Sequence, residues 1–288
     1  MASTKVTFPV SFELHNDILV VHIEGDSQQD MALRRDLADV LAFAEENKSV
    51  RAVLLCCIDC CSLAGADILE FSVPTNAPSL GDLCNRIEAL NKVVVAYLHG
   101  ASSGAGVAIA LSSHYRVASE NVSVAMPEVQ ARLVPGAGVT QRVSRLVGAH
   151  VGLDLMLSGR AIGAIEAFSI GLVDKIVGLA EPIEECVAHA RRLLSTHAPL
   201  RRTRNMDGLN YRPTTLSAIH AARIAANRRA GEVAAISKII DCVEAASELP
   251  FEEGLAFERV RLLECLELAK DNATEAGFLP RVVPHKDS

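Results

Sequence analysis

Glu128 is where chemistry could begin. It follows Pro127 in an otherwise uncharged run, VSVAMPEVQA, at residues 122–131. A carboxylate buried among apolar residues has a raised pKa and can take or return a proton near neutral pH. About twenty residues earlier stands the turn Gly104-Ala105-Gly106. An apolar strand pattern, VVVAYL at 93–98, leads into it, and a small-residue helix pattern at 107–111 leaves it. A strand delivering a glycine turn into a helix start exposes N–H groups that have no intrahelical partner. Those donors, at the positive end of the helix dipole, suit an anion or a developing oxyanion. Ala66-Asp67, within LAGADILE at 63–70, reads as a second strand-to-helix junction and a second place for such a donor. Donors of this kind beside one acid could stabilise an oxyanion while a proton moves.

The chain that must position these groups has 288 residues, half of them hydrophobic, a net charge of -7 and a pI near 5.7. That is enough for one large core or two modest units. The acidic balance points to no nucleic-acid partner, and no apolar run has the length of a membrane span. The N-terminal MASTKVTFPVSFEL alternates like a strand and lacks a secretory core, and the C-terminal HKDS is neither a peroxisomal nor a lipid-anchor signal. A soluble, cytoplasmic location is expected. Four of the eight cysteines fall at 56, 57, 60 and 61. Cys57 and Cys60 have CxxC spacing, but no second pair completes a tetrahedral set. The expectation is therefore no metal, with cysteine used as a small hydrophobe at a strand end.

Periodicity predicts strands at 5–14 and 18–23 around a His15-Asn16-Asp17 turn, and a buried strand at 53–57. Further strands are predicted at 115–118 and 122–125 around Ser119-Glu120-Asn121, and at 175–177. Helices are predicted over 31–47 and 79–90, the second capped at Ser79 or Asp82, with short ones at 139–146, 151–157 and 165–170. After about residue 180 strand patterns cease, and 182–195, 214–229, 233–248 and 251–268 all read as helices. The expected division is 1–180 and a helical region at 181–288. Within the helical region the basic stretch RRTRNMDGLNYRP, at 201–213, could offer Arg201, Arg202 and Arg204 to a phosphate. Charge runs are more often solvated, so a solvated loop is the preferred reading.

The stretches LAGADILEF, GASSGAGVAIAL, MPEVQARLVPGAGVTQRVSRLVG and LSGRAIGAIEAFSIGLVDKIV resemble the crotonase superfamily, the enoyl-CoA hydratase/isomerase family, over residues 5–180. The resemblance implies an α/β fold, a spiral of ββα turns followed by a helical oligomerisation region, usually in trimers or pairs of trimers. It implies an acyl-CoA thioester substrate and no cofactor beyond the coenzyme A of that substrate. Two backbone N–H groups would hold the thioester oxygen, those of Ala66 and Ala105. Coenzyme A would lie along the Ala64, Ala66, Asp67 and Ile68 segment, with Ala64 on the adenine side. Glu128 would move the proton.

Four departures from the family pattern carry information. Hydratases of this family use a second glutamate in the helix after the glycine turn, and that position is Ala108. Dienoyl-CoA isomerases place an acid eight positions after Glu128, where Gly136 stands. A single acid fits a double-bond shift better than hydration, so isomerisation is expected; the alternatives are a hydratase and a catalytically weak acyl-CoA-binding paralogue. The family's Pro-x-x-x-Asn-Ala signature is replaced by residues 25–30, GDSQQD, and its helix-ending aspartate by His114, which reads as structural.

Overall fold

The structure, a computed structural model, describes residues 10–24, 30–58, 78–206, 212–227 and 233–275. The junction at 63–70 and the replaced signature at 25–29 lie outside the described residues, as do Cys60 and Cys61.

Strands β1 (Val10–His15) and β2 (Ile18–Glu24) form a hairpin in which Asn16 takes the left-handed conformation. Asparagine tolerates that conformation better than most residues. From β2 the sheet continues in parallel through β3 (Ala52–Ile58), β4 (Val93–Leu98), β6 (Tyr115–Ser119) and β9 (Lys175–Val177). The inner strands read as unbroken apolar runs because both faces are covered. Val53, Leu55, Val94 and Ala96 pack into the main core; Ala52, Leu54, Val93 and Val95 pack against Cys186, Val187, Ala190 and Leu193. Those four residues belong to a helix, Pro182–Ser195, that closes the second face.

The main core lies under α1 (Asp30–Glu46), α2 (Leu80–Ala89) and α3 (Ala105–Ser112). Helices α4 (Val139–Val147), α5 (Ala149–Ser158) and α6 (Ala164–Ser169) follow, and the Pro182–Ser195 helix is α7. The C-terminal helices are α8 (Arg212–Ala226), α9 (Val233–Glu248) and α10 (Phe251–Glu275). A second, small sheet joins β5 (Ala101–Ser102), β7 (Ser123–Val124) and β8 (Ile162–Gly163) in the order β5-β7-β8. No helix among the described residues is long and apolar enough to cross a membrane.

Ser79 is the N-cap of α2, and the capping box is reciprocal: Asp82 N–H donates to Ser79 Oγ at 3.1 Å, and Ser79 N–H to Asp82 Oδ2 at 3.2 Å. At the other end of α2, Glu88 is fully buried. Its carboxylate accepts from Arg142 Nη2 (3.1 Å), Thr203 Oγ1 (2.7 Å), Arg204 N–H (2.8 Å) and Arg204 Nε (2.9 Å). Its carbonyl accepts from Arg202 Nε at 3.0 Å, and Arg201 pairs with Asp174. Residues 201–206 are therefore docked, which corrects the reading of a solvated loop. A charge buried on α2 needs partners, and this segment supplies them.

Burial pushes the Glu88 carboxyl up, but the charge of Arg142 and the hydrogen bonds from Arg204 and Thr203 outweigh it, so the net shift is downward. A lowered folded-state pKa stabilises the fold above the ordinary carboxylate range and loses that contribution as pH falls through it. Glu88→Gln should cost about 3–5 kcal/mol in urea unfolding at pH 7, as breaking a buried pair does. The deficit relative to the unsubstituted protein should shrink as the pH is lowered below the ordinary carboxylate range.

Candidate functional site

The glycine turn is built at the end of β4, a strand buried along its whole length. The chain passes through β5, turns at Gly104 and enters α3. Gly104 has φ 52 and ψ −122, a conformation that a side chain disfavours. All of α3 is buried, and it can be, since AGVAIALS carries no charge. Ala108 N–H donates to Gly104 O at 3.0 Å and Gly106 N–H to Ser103 O at 3.2 Å. Ala105 N–H, at the first position of α3, has no hydrogen-bond partner among the described residues. Ala105 itself is not among the residues with positive φ, so alanine fits there without strain.

Glu128 sits in a 3-10 turn, Pro127–Ala131. Proline suits the first position because its missing N–H would have no partner there. Arg132, left-handed at φ 59, closes the turn, and Leu133 N–H donates to Glu128 O at 2.9 Å. From the far side Gly159 approaches so closely that a Cβ there would lie 3.2 Å from Pro127 Cα. Glu128 Oε2 is buried and has no hydrogen-bond partner among the described residues. Burial raises its carboxyl pKa, opposed only by its own backbone N–H. No ion pair to Glu128 occurs among the described residues, and the turn's N-cap makes no side-chain hydrogen bond. A capping or ion-pairing role therefore does not account for this carboxylate.

The strands that lead to Ala105 and Glu128 are paired in the small sheet. β5 and β7 are parallel neighbours, with Ser102 opposite Val124. Ser123 N–H donates to Gly100 O at 2.7 Å and Ala125 N–H to Ser102 O at 3.0 Å. Parallel neighbours lie about 4.8 Å apart and finish on the same side. Ala105 follows Ser102 by three residues and Glu128 follows Val124 by four. The free N–H end of α3 and the 3-10 turn therefore leave the same end of the sheet. An unpartnered donor and a desolvated acid on one side can hold an oxyanion and exchange a proton.

The other expected contacts, Ala64, Ala66, Asp67 and Ile68, lie outside the described residues. Ala108 is 2% exposed and offers no acid; its carbonyl accepts from Ser112 Oγ at 2.8 Å. His114 is fully buried: Nδ1 accepts from Val94 N–H at 3.0 Å and Nε2 lies 3.3 Å from Glu88 O, to which it can donate. Burial pushes its pKa down to about 4, so it is a neutral structural residue. Glu88 and Glu258 were not singled out from the sequence. A weak signal exists for Glu88, which falls on the same helical stripe as Leu80, Leu83, Cys84 and Ile87. None exists for Glu258, one of several acids in α10.

The enoyl-CoA hydratase/isomerase family model matches residues 28–226. The chain belongs to the enoyl-CoA hydratase/isomerase family. Across 92% of its length it is 32% identical to the peroxisomal bifunctional enzyme of Homo sapiens, and across 94% it is 29% identical to the fatty acid oxidation complex subunit alpha of Shewanella sp. (strain MR-4). The matches cover only 37% and 40% of those proteins. The structure of an enoyl-CoA hydratase/isomerase from Pseudoalteromonas atlantica T6c superimposes with a TM-score of 0.65 at 23% identity, covering 97% of this chain and all of that one. The expected α/β crotonase fold and its C-terminal helices are thus present.

Within this family member, the conformation of Gly104 generates a specific expectation. Gly104→Ala should destabilise the protein by about 1–3 kcal/mol in urea unfolding. Strain relief would reorient Ala105 N–H, so binding of any oxyanion mimic should weaken beyond what stability loss explains.

Proposed function

We propose that the protein shifts the double bond of an enoyl-CoA thioester, with Glu128 as its one proton carrier. The observation that carries this reading is the half-buried Glu128 carboxyl, whose buried Oε2 has no partner among the described residues, at the end of the sheet where Ala105 N–H likewise has none among them. Glu128 takes a proton from C2 of a 3-enoyl thioester. The C–H electron pair forms a dienolate whose oxygen is held by the N–H groups of Ala105 and Ala66. The same proton returns at C4, and the double bond comes to rest between C2 and C3. No water is consumed, so no second acid is required. Ala108, in the helix position where hydratases carry their other glutamate, supports this over hydration.

The family's description keeps hydration of a 2-enoyl thioester as the second reading, and acyl-CoA binding without turnover is the third. A cytoplasmic homotrimer or pair of trimers is part of the proposal. Exposed apolar residues on the C-terminal helices, Leu216, Ile224, Val260 and Leu268, support an assembled state, which sedimentation would test.

Parallel turnover of 3-enoyl-CoA and 2-enoyl-CoA decides among the readings. Isomerisation without hydration is expected. Comparable hydration would overturn the isomerase reading, and no turnover with retained thioester binding would leave the paralogue. Glu128→Gln should bind coenzyme A thioesters almost unchanged while losing at least about 10²-fold in kcat, the usual scale for a lost acid–base group. Because burial raises the Glu128 pKa, kcat/KM should fall with acid along a limb above the ordinary carboxylate range. Ala108→Glu should add hydration if the helix admits the larger side chain. A folded variant with no hydration would mean the space around α3 has been rebuilt.

A further inference from the structure

Glu258 is a buried acid that the proposed chemistry does not use. It sits on α10, and its carboxylate accepts three hydrogen bonds at the start of α4: Gly138 N–H at 2.6 Å, Thr140 N–H at 3.0 Å and Thr140 Oγ1 at 2.5 Å. Gly138 is the N-cap of α4 and has no side chain to cap the helix itself. A carboxylate from 120 residues away does so instead, where the helix dipole favours an anion. The segment that Glu258 holds through Gly138 and Thr140 follows the turn that carries Glu128. Leu133 N–H donates to Glu128 O, so the turn and the segment are joined without slack.

The packing leaves little room to slide. A Cβ on Gly138 would lie 2.8 Å from Leu255 Cδ2, and one on Gly254 would lie 2.1 Å from Gln141 Oε1. The charged group facing Glu258 across the helix pair is Arg142, whose Nη1 donates to Ala137 O at 3.0 Å, and Cys242 of α9 is the other titratable neighbour. Burial, offset by the donors of Thr140 and Gly138 and by Arg142, pushes the Glu258 carboxyl up to about 7.

We propose that Glu258 is a positioning residue: through Gly138 and Thr140 it clamps the 132–138 segment to α10 and so fixes where the Glu128 carboxylate points. The proposal rests on the reading of Glu128 as the proton carrier. It makes the C-terminal helix part of the catalytic geometry in addition to part of the core.

The test uses the full chain with Glu258→Gln, which keeps shape but sets an amide against Thr140, and with Thr140→Val, which removes one donor at nearly constant volume. Hydrogen exchange of residues 132–140 should speed up in both variants while β4 and β6 stay protected. With a 3-enoyl-CoA substrate, kcat should fall about 10-fold with KM within about 2-fold, below the roughly 10²-fold of a 1 Å misplacement. Thr140→Ser, which keeps the hydroxyl, should restore kcat. Unchanged exchange in the segment overturns the clamp, whatever the activity. Faster exchange with unchanged kcat, or a kcat loss that only tracks the folded fraction, overturns the positioning role. Glu128→Gln is assayed alongside. If it keeps turnover, the Glu128 reading fails, whereas the exchange result still judges the clamp.

Discussion

A carboxylate cut off from water must find all of its partners within the chain, and Glu88 sets that requirement for this fold. Its two oxygens draw Arg142 from α4 and Thr203 and Arg204 from the segment before α8 onto the end of α2. Its carbonyl adds Arg202 and the ring of His114. Phe251, at the start of α10, lies under the guanidinium groups of Arg142, Arg145 and Arg204. One buried charge therefore ties the middle of the chain to its C-terminal helices. Removing a partner would leave a desolvated charge, and that cost keeps the elements in register.

Two buried glutamates, Glu88 and Glu258, and the half-buried Glu128 show how environment sets identical side chains apart. Glu88 meets two guanidinium groups, and its pKa falls despite burial. Glu258 meets mostly neutral donors, and burial prevails. Glu128 has a buried oxygen without a partner, so burial again raises its pKa, with only its own backbone in opposition. The first two have their hydrogen-bonding capacity taken up by protein. Glu128 is the one of the three with an acceptor to spare among the described residues.

The donor and the acid owe their common location to the small sheet. β5 and β7 are only two residues each, far too short to stand alone. They hold because β4 and β6, the strands that precede them, are already paired in parallel in the large sheet. The large sheet sets the direction, and the short strands carry it to the ends from which α3 and the Glu128 turn depart.

Much of this was legible without coordinates. Strands appeared as apolar runs, helices as periodic stripes, and the α2 cap as Ser79 with Asp82. These are local patterns, set by burial and by the geometry of one element. Ala105 as the first residue of α3, two positions earlier than periodicity placed it, required the torsion of Gly104. The docking of Arg202 and Arg204 required a buried acid more than 110 residues away. The anchoring of α4 by Glu258 spans 120 residues. Periodicity tells a residue whether it is inside, but which partner satisfies a buried charge depends on elements that meet only when the chain has folded. Local order was therefore determined by the sequence read on its own, whereas the pairing of its charges and the shared exit of Ala105 and Glu128 were decided by tertiary structure.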